Sequence, residues 1–384
     1  MNPQTQTTCS SPQDTSATST HQPPSRPPLP TKDHTTPNGT RHTTNKLPPL
    51  PRPHNTIRIV FQNCNGLKPT KSDLATNLSS INHLDISLIG LAETNLDWNQ
   101  RSRTTEPLLK SIKSIWPHNK TTFTCSTESH NSPTGHQPGG CAQLSLSNLV
   151  PRHRSTNNDD SGMGRWTSQL FQGKNNRCLR IFTAYRVSQT SSRGLGLRTA
   201  YMQQQRALNN AGLPRTSPRQ RILVDLARAI QASTAEAEDV VLLMDSNADI
   251  TEPHLSNFLA QTNLHDVLHD DFFNIATRWP GSKRIDHVFV TTRIATNTKH
   301  IGYLPWDIPI VSDHLGICID LDENAIFGSN HLDAARPIQR RLRSTTPRRT
   351  ESYLSQLKSY VEKSKLHQRL ESLIQKCKIS VRQH

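Results

Sequence analysis

The chain has 384 residues and a formal net charge of +15 at pH 7, which favours a polyanionic partner such as nucleic acid over a membrane surface. Only 32% of its residues are hydrophobic, too few for a chain that is folded throughout, and no apolar run is long enough to span a bilayer. Its 7 cysteines include no CxxC pair, which argues against a zinc module and indicates a reducing compartment.

Residues 1–55 are dominated by Thr, Ser, Pro, Gln and His, so they cannot bury enough apolar surface to offset the entropy of ordering. We predict a disordered arm here. Its LPPLP stretch at residues 47–51 is compatible with binding in an aromatic groove, but a plain linker is the favoured interpretation. No signal-like apolar segment follows Met1, and we therefore expect an intracellular protein.

Hydrophobic patterning predicts strands and helices from residue 56 to residue 321. Strands are predicted at residues 57–61, 85–91, 121–125, 140–146, 164–170, 179–185, 240–244, 284–290 and 315–319. Helices are predicted at residues 71–83, 108–116, 201–209 and 219–232, with short helical or irregular pieces at 257–259 and 264–268.

Polar side chains follow several of these strands at the point where each strand ends. The apolar run VVLLM at residues 240–244 stops at Asp245 and Asn247. One such segment alone is more often an Asx-type turn, and a lone Asp in a strand is as often solvent-facing as functional. The repetition of the pattern makes a shared site the better hypothesis, formed by these and other polar residues at strand ends: Asn63, Glu93, Tyr185, Asp286, Asp313 and His314.

Carboxylates clustered without cysteines suit Mg²⁺ or Mn²⁺ better than zinc. With an Asp/His set added, the chemistry indicated is metal-assisted phosphodiester hydrolysis. The sequence contains neither the GxSxG elbow of a serine hydrolase nor the Gly-rich phosphate loop of a kinase.

Six stretches carry a resemblance to a known family: QNCNGL, LAETN, FTAYR, LMDSNAD, RIDHVFV and VSDHLGI. In this order they resemble motifs of the endonuclease/exonuclease/phosphatase superfamily, and most closely those of the apurinic-type endonuclease domains of non-LTR retrotransposons. The resemblance covers residues 56–321. It implies a four-layered α/β sandwich of two packed mixed β-sheets flanked by helices, the DNase I-like fold.

The resemblance also implies a metal centre that binds Mg²⁺ or Mn²⁺. Glu93 would be the main metal ligand, helped by Asn65 or Asp313. Asn63 would orient Asp245, and Asp245 would activate the attacking water or serve the leaving group.

The scissile phosphate would be contacted by Asn247, Tyr185 and His314, while Asp286 would hold the imidazole of His314 as a cationic donor. Three departures from the usual family residues leave the proposed catalytic groups in place and bear on substrate preference: Met244, Ser246 and His287.

Residues 323–384 are predicted to form a basic linker and an amphipathic helical tail, with a helix from about residue 350 to residue 378. The apolar spacing slips between Val361 and Leu366. The tail resembles the linker that joins such endonuclease domains to a reverse transcriptase. No polymerase motif follows it, so we expect a truncated or domain-only form.

The leading hypothesis is therefore a DNA endonuclease that nicks its substrate, with DNA as partner and a nuclear location inferred from that substrate. One alternative is a phosphoinositide or sphingolipid phosphoesterase with the same core. The other is a catalytically inactive nucleic-acid-binding relic of a mobile element.

Overall fold

A computed structural model of the chain describes residues 51–67, 79, 81–100, 105–128, 135–189, 198–268, 275–304, 310, 312–328 and 347–381. The chain divides into two compact units between residues 331 and 332, and each unit is described by itself. The predicted domain boundaries at residues 55/56 and 322/323 remain predictions.

Twelve strands lie in the described part of the first unit. They are β1 (Thr56–Asn63), β2 (Leu88–Ala92), β3 (Asn119–Thr124), β4 (Cys141–Leu146), β5 (His153–Asn158), β6 (Trp166–Gln172), β7 (Cys178–Tyr185), β8 (Glu238–Asp245), β9 (His265–Asp266), β10 (Asp286–Val290), β11 (Thr298–Tyr303) and β12 (Ile317–Asp322).

The strands form two mixed sheets of six strands each, in the orders β11-β12-β1-β2-β4-β3 and β5-β6-β7-β8-β10-β9. In each sheet one central pair is parallel, β1 with β2 and β7 with β8, and the other pairs are antiparallel. The helices described in this unit are α1 (Glu106–Ile115), α2 (Ala200–Asn210), α3 (Pro218–Ala235), α4 (Pro253–Thr262), α5 (Thr292–Thr296) and α6 (Glu323–Phe327).

The strand sequences explain the layers. In β8, Val241 and Leu243 point into the core between the two sheets, while Leu242 and Met244 point outward into a core shared with α3 and α4. Both faces of the strand are buried, which is why its sequence is continuously apolar rather than alternating. In the other sheet, Val60 of β1 belongs to a third core, which includes residues of α1. The result is the predicted four-layered sandwich, and the predicted fold class is confirmed.

The sheets approach closely at Gly90 in β2. A Cβ atom at this position would lie 2.6 Å from Thr183 Oγ1 and 2.8 Å from Leu243 Cδ1, both in the opposite sheet. These distances are shorter than van der Waals contact, so any larger residue at position 90 would have to displace the Thr183 and Leu243 side chains, whereas glycine lets β2 lie close to β7 and β8. This contact fixes the centre of the sandwich immediately behind the strand ends.

Some predicted elements differ from the structure. The strands β5 and β11 were not predicted, because the sequence HRSTNN is polar and TKHIGY has only a short apolar end. Residues 253–262 form a continuous helix rather than short pieces, and residues 264–268 contain the two-residue strand β9. The predicted helix at residues 71–83 lies mostly outside the described residues; a 3₁₀ turn occupies Asn82–Leu84. Ordered structure also continues beyond residue 321, because α6 buries Ile326 and Phe327.

The second unit contains two helices, α7 (Pro347–Lys363) and α8 (Leu366–Val381). The prediction of one helix across residues 350–378 is therefore wrong. Lys365, between the two helices, has a left-handed φ of 50°, which a continuous helix cannot contain. The break coincides with the slip in apolar spacing between Val361 and Leu366.

No helix in the described ranges combines the length and the hydrophobicity that crossing a bilayer requires. Five cysteines are described with free thiols: Cys64, Cys125, Cys141, Cys178 and Cys318.

A buried ion pair joins β1 to β12. The Arg58 guanidinium donates from Nε and Nη2 to the two carboxylate oxygens of Asp320, each at 2.7 Å, and both side chains have no exposed surface. Removing one partner of a buried pair leaves an uncompensated charge.

We expect Asp320→Asn to lower the free energy of unfolding by about 3–5 kcal/mol, because Arg58 then lacks its counter-charge. Asp322→Asn in the same strand is the matched control. Its ion pair with Lys299 is partly exposed and asparagine keeps the helix-capping oxygen, so the loss should stay below about 1 kcal/mol. Urea denaturation measures both variants, and equal losses would contradict the expectation.

Candidate active site

The candidate site lies at the carboxyl ends of the two parallel strand pairs, one in each sheet. Parallel neighbours present their carboxyl ends at the same edge of a sheet. Because the sheets pack face to face, the polar residues at the ends of β1, β2, β7 and β8 come together: Asn63, Glu93, Tyr185 and Asp245.

The Asn63 side chain links the two sheets. Its Nδ2 donates to Glu93 Oε2 at 2.9 Å and to Asp245 Oδ2 at 2.6 Å. Its Oδ1 accepts from the backbone N–H of Asn65 at 2.8 Å, and its own carbonyl accepts from Ser312 Oγ at 2.7 Å. The nitrogen and the oxygen of the Asn63 side-chain amide therefore both form hydrogen bonds, which fixes the orientation of the side chain.

Asp245 and Asn247 form a tight turn after β8. Asp245 Oδ1 accepts from the Asn247 backbone N–H at 2.8 Å, and Asn247 has a left-handed φ of 48°, which asparagine tolerates. The Asn247 Nδ2 donates to the Arg186 carbonyl at 2.7 Å and to Asp245 Oδ2 at 3.2 Å. Burial and the nearby carboxylate of Asp286 raise the pKa of Asp245 to about 8.

Asp286 and His314 form a buried pair. Asp286 lies opposite Asp245 in the register of β10 and β8, and its Oδ2 is 2.8 Å from His314 Nδ1. Burial disfavours the imidazolium, but the charge and hydrogen bond of Asp286 outweigh it and raise the pKa of His314 to about 9. The protonated ring donates through Nδ1 to Asp286 and keeps its Nε2 hydrogen for another acceptor.

Glu93 and Tyr185 contact each other across the sheets. Burial raises the pKa of Glu93, while hydrogen bonds from Asn63 and Tyr185 oppose that rise. Burial and the nearby Glu93 carboxylate keep the pKa of the Tyr185 phenol well above its usual value. The Tyr185 phenol therefore keeps its hydrogen at neutral pH and is a hydrogen-bond donor.

The two remaining predicted residues lie at the margin. Asp313 Oδ2 accepts from Arg278 Nε at 3.0 Å, and the Asp313 carboxylate is close enough to raise the pKa of Glu93. The Asn65 side chain is exposed at the end of β1. The nine predicted site residues therefore occupy one region of the first unit, and Asn65 is the exposed one among them.

The donor set fits a divalent cation. Asp286 Oδ1 and Asp313 Oδ1 are buried carboxylate oxygens for which the described residues supply no hydrogen-bond partner. Burial raises the pKa of the nearby Cys64, which disfavours its thiolate form. Oxygen ligands without thiolate suit Mg²⁺ or Mn²⁺.

Proximity alone selects a different ligand set from the predicted one. Single ligand atoms of Asp245, Asp286 and His314 lie within 4.8 Å of one another. In this set His314 Nδ1 is already occupied by Asp286 Oδ2 at 2.8 Å, which leaves Nε2 as the free ring nitrogen. Glu93, Asn65 and Asp313 remain the predicted ligands.

Two supporting residues were missed in the sequence. Ser312 Oγ donates to the Asn63 carbonyl and accepts from the His314 backbone N–H at 3.1 Å, so it joins two predicted site residues. Thr277 Oγ1 accepts from the Asp286 backbone N–H at 3.2 Å. The adjacency of Ser312 to Asp313 was a usable signal, whereas Thr277 lies in a loop whose sequence gives none.

The comparisons with known proteins agree with this fold. The sequence profile of the endonuclease/exonuclease/phosphatase family matches residues 60–314, about two thirds of the chain. No curated protein sequence matches the chain.

Among solved structures, the chain is similar to an AP endonuclease from Leishmania major, with 12% identity, a TM-score of 0.51, and coverage of 70% of this chain and 88% of that one. The human Nocturnin catalytic domain has 17% identity and a TM-score of 0.45, with coverage of 70% and 93%. A Neisseria 3′ phosphatase bound to a product DNA hairpin has 15% identity and a TM-score of 0.47, with coverage of 69% and 99%.

We expect Asp286→Asn to lower the pKa of His314 from about 9 to its ordinary value of 6.5 or below, because the opposing effect of burial remains. In the metal-free wild type, the pair stabilises the fold fully below pH 6.5 and loses this contribution as the pH rises through about 9. NMR titration of the His314 ring in EDTA measures the pKa of His314 in the wild type and in the variant. A titration midpoint that does not move would contradict the role of Asp286.

Proposed function

The chain belongs to the endonuclease/exonuclease/phosphatase family, and we propose that it is a divalent-metal-dependent phosphodiester hydrolase that nicks DNA. We further propose that it derives from the apurinic-type endonuclease of a non-LTR retrotransposon. The order of the six sequence motifs supports that subtype, and the charge of +15 supports a nucleic-acid substrate.

One observation carries the proposal: a single amide, that of Asn63, contacts Glu93 at 2.9 Å and Asp245 at 2.6 Å. It holds a candidate metal ligand beside a candidate general base. Hydrolysis of a phosphodiester needs both a means of stabilising charge on the phosphate and a group that removes a proton from water. The Asn63 side chain therefore holds the two groups proposed for these tasks, Glu93 and Asp245, next to each other.

The predicted ligands Glu93, Asn65 and Asp313 would hold Mg²⁺ or Mn²⁺. When bound, the cation would neutralise charge on the phosphate and polarise it for attack. Enzymes of this family use divalent metals, and the buried carboxylate oxygens of the site are in keeping with that chemistry.

Asp245 is the proposed proton acceptor for the attacking water, or alternatively the group that serves the leaving oxygen. Its raised pKa makes its carboxylate a stronger base than an exposed aspartate, and a general base works best when its pKa lies near the working pH. Asn63 and the Asn247 backbone fix its two oxygens, so that the carboxylate loses little orientation freedom during the reaction.

His314, Tyr185 and Asn247 are the proposed contacts to the scissile phosphate. His314 would donate from Nε2 while Asp286 keeps the ring cationic, and Tyr185 would exchange its phenol donation to Glu93 for one to a phosphate oxygen. Asn247 would exchange its longer donation, the 3.2 Å contact to Asp245, for a phosphate oxygen. These donors would stabilise the negative charge that develops on the phosphate.

We propose the organisation that the sequence suggests: an arm at residues 1–55, a hydrolase domain at 56–322, and a basic tail at 323–384 that resembles a linker to a reverse transcriptase. Within that tail, α6 packs with the first unit through Ile326 and Phe327. Arg336, Arg340, Arg341 and Arg343 of that tail lie outside the described residues, and so do most residues of the arm. The proposed substrate implies a nuclear location.

The test is nicking of supercoiled plasmid by the full chain, with Mg²⁺ or with EDTA. Nicking should require the metal, and Asp245→Asn and His314→Ala should each lower its rate by ~10² or more, because each removes a group that acts in the transition state. Both variants should still bind DNA with an affinity that falls as salt rises, because the basic residues remain.

Asp249→Asn is the matched control, since this carboxylate lies in the same loop and accepts from Thr251 rather than from a proposed catalytic group. It should nick at the wild-type rate. If folded wild type does not nick DNA but releases phosphate from phosphoinositide or sphingolipid vesicles, the lipid phosphoesterase is correct. Binding without hydrolysis of either substrate would identify an inactive relic.

A further inference from the structure

Three consecutive backbone carbonyls, beginning at the last residue of β8, accept hydrogen bonds from two arginines. The Asp245 carbonyl accepts from the Arg186 backbone N–H at 2.9 Å, and the Ser246 carbonyl accepts from Arg186 Nη1 at 3.4 Å. The Asn247 carbonyl accepts from Arg219 Nη2 at 3.1 Å. The turn that carries the proposed general base is thus fixed on its backbone side as well as through its side chains.

The two arginines are themselves anchored on separate elements. Arg186 follows β7 and is 1% exposed; its Nε donates to the Arg219 carbonyl at 2.9 Å, and its Nη2 is 3.1 Å from Glu252 Oε1. Glu252 accepts from the Leu255 N–H and so caps α4. The Arg186 guanidinium therefore ties the end of β7 to the first turn of α3 and to the start of α4.

Arg219, in the first turn of α3, completes the arrangement. Its Nη1 donates to the Val187 carbonyl at 2.6 Å, and its Nη2 to the Asn247 carbonyl. One planar guanidinium thus spans the exits of two neighbouring parallel strands, β7 and β8. A lysine ammonium is a point donor on a flexible stem and cannot reproduce this two-point geometry.

Arg219 is partly buried beside a second cation. Burial and the neighbouring Arg186 lower the pKa of Arg219, and the carboxylates of Glu252 and Asp245 oppose that shift. Two like charges are therefore held close together behind the turn. An arginine whose only role was to contact solvent or DNA would not need to donate to two backbone carbonyls.

We propose that Arg219 is a positioning residue that sets the Asp245–Asn247 turn in its reactive conformation by bridging the Val187 and Asn247 carbonyls. This inference rests on the proposed function for its catalytic meaning. It adds a residue whose guanidinium hydrogen bonds go to the backbone carbonyls of Val187 and Asn247 rather than to the side chain of a predicted metal ligand or phosphate donor.

The first arm of the test is steady-state nicking by the full chain. Arg219→Ala should lower kcat by about 10- to 100-fold with KM for DNA unchanged, because small misplacements of reacting groups have effects of this size. Arg219→Lys should recover little of the loss and also serves if the alanine variant folds poorly. Arg228→Ala, at a side chain 70% exposed on the same helix, is the control and should match wild type.

The second arm asks whether Arg219 acts through the turn. In a double-mutant cycle, Arg219→Ala added to Asn247→Ala should lower kcat by less than threefold, roughly, because the two changes disturb one unit. If the two substitutions lower kcat by factors that multiply, or if Arg219→Ala raises KM and Arg219→Lys restores it, Arg219 makes an independent contact to a DNA phosphate. Either result would overturn the proposal.

The third arm does not depend on catalysis. Amide hydrogen exchange at Asn247 and Ala248, whose N–H groups donate to Asp245 Oδ1 and Ser246 Oγ, should become at least about tenfold faster in Arg219→Ala than in Arg228→Ala. Exchange in β1 should not change. Unchanged exchange at the turn would overturn the proposal even if the wild type cleaves DNA. If the wild type does not cleave, the proposed function fails, and exchange alone decides whether Arg219 holds the turn.

Discussion

The hydrogen bonds from the Asn63 amide to Glu93 and Asp245 join the two sheets where their central strands end, and the site depends on them. Withdrawing a carboxylate from water costs several kcal/mol, and a hydrogen bond to a charged group returns about 1.5–3 kcal/mol. One amide shared by two carboxylates cannot offset that cost. The Asn247 backbone donor and the charge of His314 also favour the Asp245 carboxylate, and the raised pKa of Asp245 indicates that burial outweighs them.

The architecture makes this contact possible through two features. Each sheet has one parallel pair near its centre, which brings two carboxyl ends to the same edge. Gly90 then lets β2 lie directly against β7 and β8, so that the ends of the two pairs meet rather than being held apart by a side chain. Antiparallel pairing of β10 with β8 places Asp286 opposite Asp245, and the chain before β12 supplies His314. Donors and acceptors from five strands thereby reach one point without a long loop.

Much of the fold was predictable where burial leaves a clear pattern. The apolar run before Asp245 and the alternating run in β10 were both predicted as strands because core packing on one or two faces fixes their hydrophobic period. The polar edge strand β5 has one sheet neighbour and few buried side chains, so its sequence carries little pattern. The prediction of a single C-terminal helix was wrong because the spacing of apolar residues shifts between residues 361 and 366. The helix is interrupted at this shift, and two helices form instead of one.

The sequence by itself determined which residue types lie beside the strand ends, namely carboxylates, amides, a tyrosine and a histidine. That follows from local physics, since strand period and turn chemistry are properties of short segments. Only the tertiary structure decided how those groups are paired. The sharing of Asn63 between two carboxylates, the burial of Asp286 against His314, and the arginines behind the turn all join residues far apart in the chain. Their distances depend on how closely two sheets pack and on strand register, which no short segment encodes.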